Sequence, residues 1–219
     1  MIFMAAVALW FFTAGFSLLD KLQPGASNAL GRVSADHEVV QTFTAVSDNL
    51  SRVELVINKT DPHSQGSLRL QVLEFEGTQA DGAPILGEAL RESRLDTGSF
   101  DYLGGHRFQF DPLTVSPGAV YALRVTSDST ETAEVWLMGS GSDPYKGGSL
   151  FKDGIPANGD LYFALYQSTD AGGLLDKNIP FRPAPLNSAI LFGILFILGA
   201  GSFGWLLAEI AGVNKRNKT

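Results

Sequence analysis

Ala189 to Ala208 reads AILFGILFILGAGSFGWLLA, a run without a single charged side chain. At about 1.5 Å per residue, a helix of this length spans about 30 Å, the hydrocarbon thickness of a bilayer. Such a run must be either wholly buried or placed in lipid, and that choice constrains the rest of the chain. Pro183 and Pro185 limit helix extension on the near side, and Trp205 stands near the far end, where an indole favours the membrane interface. Lys215, Arg216 and Lys218 follow. Positive residues just past a span are retained on the cytoplasmic side. We therefore expect a C-terminal transmembrane helix over 188–212 and a basic cytoplasmic tail over 213–219. Ala200, Gly204, Ala208 and Gly212 stack on one face of that helix. Small residues so spaced let a second helix approach closely, which makes them a candidate helix-packing interface.

A second apolar run, MIFMAAVALWFFTAGFSLL, covers Met1 to Leu19 and is followed by Asp20 and Lys21. It is long enough to span, and no Lys or Arg precedes it, so we read 1–20 as an N-terminal transmembrane helix. The alternative is a cleaved leader, with Ser27-Asn28-Ala29 as the small-residue site. With two spans, both termini face the cytoplasm. The intervening domain then lies on the extracytoplasmic, periplasmic side of a bacterial inner membrane.

Pro24, Gly25, Ser27 and Gly31 suggest a linker over 21–34, and Gly172, Gly173, Pro180, Pro183 and Pro185 another over 169–187. Between them, 35–168 has the size of one domain. Its hydrophobic period is two, the mark of half-buried strands. Val53, Leu55 and Ile57 alternate with Arg52, Glu54 and Asn58; Leu68, Leu70 and Val72 alternate with Arg69 and Gln71. Phe108 and Phe110, Tyr121 to Val125, Val135 and Leu137, and Leu161 to Leu165 repeat the pattern, with Tyr162 and Tyr166 on the opposite face of the last strand. Val39 to Phe43 reads as a first strand. A helical period is confined to Glu88–Arg94. Asp61-Pro62, Asp81-Gly82, Ser116-Pro117-Gly118, Asp153-Gly154 and Asn158-Gly159 supply the reversals. Seven or eight short strands joined this way predict an all-β, antiparallel sandwich.

Two stretches carry a resemblance. QTFTAVSDNLSRVELVI (41–57) is strand, polar turn, strand, and SDPYKGGSLFKDGIPANGDLYFALYQ (142–167) joins a glycine-rich loop, an Asp-Gly hairpin and a final aromatic strand. Together they resemble the lectin-like jelly-roll modules of bacterial polytopic membrane proteins, often those linked to envelope glycosyltransferases. The resemblance implies a jelly-roll-like sandwich over most of 38–167. Its motifs are structural, so it implies fold rather than glycosyl transfer.

The chain holds 23 acidic against 16 basic residues, a net charge of −7, which disfavours nucleic acid as a partner. It has no cysteine, so disulfides and thiolate chemistry are excluded. His37, His63 and His106 show no metal-ligand spacing, and no nucleophile elbow, P-loop or dinucleotide fingerprint occurs. Asp36, Asp48, Asp143 and Asp160 flank strands, where jelly rolls sometimes hold calcium, but they lack loop-type calcium spacing. We expect no cofactor, no metal and no enzymatic activity. Tyr102, Tyr145, Tyr162 and Tyr166, with Phe151, are candidates for carbohydrate or partner contact, because a flat ring matches a pyranose face and also suits a protein interface. The expected function is a non-catalytic accessory subunit of a larger membrane complex (envelope, respiratory or photosynthetic), with other integral membrane subunits and the bilayer as partners. The alternative is a cell-surface carbohydrate-binding module, with glycan as the partner.

Overall fold

A computed structural model describes residues 15–60, 66–99, 103–128, 135–142 and 145–170. The chain divides into two units, Ser17–Ser168 and a second made of Met1–Phe16 with Thr169–Thr219, nearly all of the latter outside the described residues. The expected transmembrane helices and tail over 188–219, and residues 1–14 of the N-terminal one, also lie outside them. No helix among the described residues is long and apolar enough to cross a membrane.

Ser17–Ser168 is built from strands. In chain order they are β1 (Phe16–Gln23), β2 (Asn28–Val33), β3 (Val39–Thr44), β4 (Asn49–Lys59), β5 (Ser67–Thr78), β6 (Pro84–Asp96) and β7 (Gly104–Thr114). There follow β8 (Val120–Ser127), β9 (Val135–Ser140), β10 (Leu150–Lys152), β11 (Ile155–Ala157), β12 (Asp160–Leu161) and β13 (Phe163–Thr169). They form two antiparallel sheets packed as a sandwich. The seven-stranded sheet runs β1-β13-β4-β9-β12, with β2 on β9 and β7 on β4. The six-stranded sheet runs β11-β10-β3-β8-β5-β6.

The period-two residues face each other across the sandwich. Val53, Leu55, Ile57, Leu68, Leu70, Val72, Phe108, Leu123, Val125, Leu161, Phe163 and Leu165 belong to one buried cluster. Each contributes about 2 kcal/mol by leaving water, which is why the alternation holds so regularly. Asp81-Gly82, Ser116-Pro117-Gly118 and Asp153-Gly154 fall at turns between strands, while Asp61-Pro62 lies outside the described residues. Asp153 and Gly154 both have positive φ, 51° and 77°, as the two central residues of a mirror-image hairpin turn require.

Three expectations are corrected. The stretch expected as a linker, 21–34, holds the end of β1 and all of β2. Gly31, one of its apparent linker signals, is instead a close approach, where a Cβ would overlap the Val39 side chain. Residues 16–20, placed at the end of the N-terminal helix, are in β1, where Asp20 accepts hydrogen bonds from the Ser47 amide (3.2 Å) and the Ser47 hydroxyl. Glu88–Arg94 is not helical. It lies in β6, paired with β5 from Ser67↔Asp96 to Thr78↔Pro84, and Leu90 and Leu95 pack on the core. Cross-strand pairing and packing outweigh a helical preference that only isolated residues express.

Arg91 joins the two sheet edges. Its guanidinium donates to the carbonyls of Asp111 (3.0 Å) and Pro112 (3.2 Å) on β7, and of Leu90 (2.7 Å) on its own strand. It thereby fills acceptors that an open strand edge would leave for another chain.

Candidate functional site

The polar residues of β4 project from the seven-stranded sheet away from the core, and antiparallel pairing decides what they meet. Arg52 lies opposite Tyr166 of β13 and Gln109 of β7; Glu54 lies opposite Arg107. Directly opposed residues share a face. The Arg52 guanidinium carbon sits 3.8 Å from the centre of the Tyr166 ring, a stacked cation–π contact. Its Nε is out of solvent with no hydrogen-bond partner, so the ring face is its main compensation. Glu54 Oε2 accepts from Arg107 Nε at 3.2 Å and from the Tyr166 hydroxyl at 3.4 Å. Tyr162 points the same way, between the inward Leu161 and Phe163. Burial, then the charge of Glu54 and the neighbouring Tyr166, push its phenol above the usual value. Trp136, opposite Asn58 and Arg32, extends this half-buried face toward β2.

The structure separates the aromatic residues that the sequence grouped. Tyr162 and Tyr166 share the face just described. Tyr145 does not join them. It is buried, its ring meets Phe163 edge-on at 5.2 Å between centroids, and its hydroxyl accepts the Thr44 amide at 3.0 Å. Phe151 is buried on the other sheet with Val40, Leu73 and Ala122. No common stacking platform is formed by these four, because Tyr145 sits in a loop segment whose inward turn no alternation announces. Tyr102 lies outside the described residues, as do Ala200, Gly204, Ala208, Gly212, Lys215, Arg216 and Lys218.

Among the aspartates, Asp160 is wholly buried, its oxygens accepting from Gln41 Nε2 (3.2 Å) and the Tyr145 amide (2.8 Å). Asp143 and His63 lie outside the described residues. Among the described residues no group of three His, Asp or Glu is placed to hold a metal. His106 is on β7, where burial, partly opposed by Glu54, lowers its affinity for a proton.

His37 and Asp36 line a cleft of about 330 Å³ with Glu38, Arg124, Thr126 and Asp153. Asp153 accepts from the Glu38 amide at 2.9 Å and meets His37 Nδ1 at 2.8 Å; Arg124 pairs with Glu38 at 2.6 Å. These bonds clip the β2–β3 loop to the β10–β11 turn. Burial pushes the Asp153 carboxyl up, but the His37 hydrogen bond, the Glu38 amide and the His37 charge together bring it below 3.8. A depressed folded value stabilises the fold above the unfolded pKa, and that contribution is lost as pH falls through the folded one. Asp153→Asn, which tolerates the same positive φ, should therefore lose less stability than the natural chain between pH 5 and the acid side of 3.8. Urea midpoints across that range check this; equal losses would refute it.

Arg52, Glu54 and Trp136 were not among the residues singled out from sequence. Arg52 and Glu54 were visible as the outward set of a strand, but their meeting with Tyr166 depends on pairing between distant segments. No protein-family model matches this chain, and no curated protein matches it. Among solved structures, the Yersinia pseudotuberculosis-derived mitogen is similar at 10% identity and a TM-score of 0.26, over 62% of this chain and 92% of that one. A structure of infectious bursal disease virus, Gx strain, is similar at 13% identity and a TM-score of 0.26, over 87% of this chain and 48% of that one. At these scores neither likeness bears on fold or function.

Proposed function

We propose that this chain is a non-catalytic accessory subunit of a bacterial membrane complex. Its sandwich, jelly-roll-like in arrangement, braces the complex on the extracytoplasmic face. The apolar runs over 1–15 and 189–208 anchor it, with both termini cytoplasmic, and the outer face of the seven-stranded sheet lies against another integral membrane subunit. The observation that carries this reading is the set of half-buried Arg52, Glu54, Trp136, Tyr162 and Tyr166 with exposed Arg107 on one face. Tyr, Trp and Arg are the residue types enriched at protein interfaces, and stacking and ion pairing already hold several of these side chains in place. The order of the strands adds support. β1 and β13 are neighbours in an antiparallel sheet, so Ser17 and Ser168 stand at the same end of it, as two anchors in one membrane need.

The test is native purification of the full chain in mild detergent with mass spectrometry of what accompanies it. The paired substitution Tyr162→Ala, Arg52→Ala should reduce the recovered membrane partner by about tenfold or more, the effect of losing interface hot spots, with the sandwich still folded. Unchanged recovery would sink the proposal. So would a chain that purifies alone yet binds an array of glycans through Tyr162, which is the carbohydrate-module outcome. A fragment beginning at residue 35 is unsuitable for either arm, because it lacks β1 and β2.

A further inference from the structure

Part of the outer face of the six-stranded sheet, at Val40, Ala122 and Phe151, is covered by the chain's own β5–β6 hairpin. β5 follows β8 only from Leu68↔Ser127 to Glu74↔Tyr121, then leaves it. Its pairing with β6 shifts register three times between Val72 and Gly77, and Gly77 has φ +135°. Successive bulges bend a strand sharply and raise its twist. The arm beyond this bend lies back over the sheet. A Cβ on Gly82, at its tip, would stand 2.9 Å from Pro156 of β11. β11 is four strands from β5, about 19 Å at the usual strand spacing, and eight extended residues reach about 26 Å. Beneath the arm are Val40, Ala122 and Phe151, buried together with Leu73, and Phe75 and Leu86 pack on them from the arm.

We propose that residues 75–87 form a flap. It swings off this face about the Leu73–Gly77 bend while the sandwich stays folded, and it uncovers an apolar strip made by Val40, Ala122 and Phe151. Two features make that opening cheaper than unfolding. The tip's hydrogen bonds stay within the arm: Gln79 donates to Ala83, and Gly82 to Gln79, so lifting the arm breaks none of them. The apolar contacts that hold it are a small cluster, separate from the main core on the other side of the sheet. At the base, Arg91 pins β6 to β7, which confines the motion to the arm. Sub-global openings of this kind fall well below the free energy of complete unfolding.

The chain has no cysteine, so single-cysteine variants of the full chain report accessibility directly. Ala122→Cys and Val40→Cys place a thiol under the flap, and Val125→Cys places one in the main core; all three positions are 0% exposed. Under native conditions, with rates corrected for each variant's own stability, thiol reagent should modify the first two at least ~100-fold faster than the third. If one flap-side variant does not fold, the other serves. Equal rates at the flap-side and core positions would overturn the proposal.

Discussion

Asp160→Ala is expected to lower the unfolding free energy by about 3–5 kcal/mol. Asp160 is 0% exposed and stands where β12 meets β9. Its carboxylate accepts from Gln41 Nε2 and from the Tyr145 amide, while Gln41 returns its own carbonyl to the Leu161 amide at 3.0 Å. Gln41 is on the six-stranded sheet and Leu161 on the seven-stranded one, so this network joins the two layers through the core. Truncation leaves the Tyr145 amide without its acceptor and Gln41 Nε2 with the Thr42 carbonyl alone, at about 1–3 kcal/mol each, and opens a cavity besides. Chemical unfolding of the full chain checks the value. A loss within about 1 kcal/mol would mean that water replaces the carboxylate and that the network contributes little.

Tyr145→Ala is expected to cost about 3–5 kcal/mol, as for other large aromatic residues cut out of a core. It removes the ring packed against Phe163 and the hydroxyl that accepts the Thr44 amide. Tyr145→Phe removes only the hydroxyl and should cost about 1–2 kcal/mol, the range for one buried amide left unsatisfied. Burial, with the charge of Asp160 and against the Thr44 contacts, pushes the Tyr145 phenol above 10. A raised folded value gives stability that is complete below the unfolded pKa and is lost as pH rises through the folded one. The natural chain should therefore lose stability above pH 10 that Tyr145→Phe keeps. Because Asp160 accepts from the Tyr145 amide, the two alanine substitutions act on one network, and their combined cost should fall short of the sum by about 1 kcal/mol. Unfolding midpoints unchanged in Tyr145→Ala would instead place this ring at a surface, available to a ligand.

Both predictions concern residues whose place in the core the sequence does not reveal, for a common reason. Tyr145 falls among the candidates for carbohydrate or partner contact, and Asp160 among aspartates that flank strands without calcium-loop spacing. Each lies in the stretch between β9 and β13, where strands of two or three residues alternate with loops. Period-two reasoning needs several successive positions to reveal which way a side chain points, and this stretch is too broken to supply them. In β4, β5 and β8 the alternation is long and the inward set was legible residue by residue. β1 and β2 were missed for another reason. The glycine and proline density of 21–34 matches a linker, and only contact with β9, β13 and Val39 makes strands of it.

The sequence by itself determined that 35–168 is rich in half-buried strands, which faces of β4, β5 and β8 turn inward, and where the Asp81-Gly82, Ser116-Pro117-Gly118 and Asp153-Gly154 reversals fall. Alternation and turn chemistry are local properties of the pleat, readable in a few consecutive residues. Only the tertiary structure decided which strands are neighbours. Arg52 therefore finds Tyr166, Gln41 finds Asp160, and the β5–β6 arm finds β11 through pairings between distant segments, which depend on chain closure and the packing of two layers rather than on any local pattern.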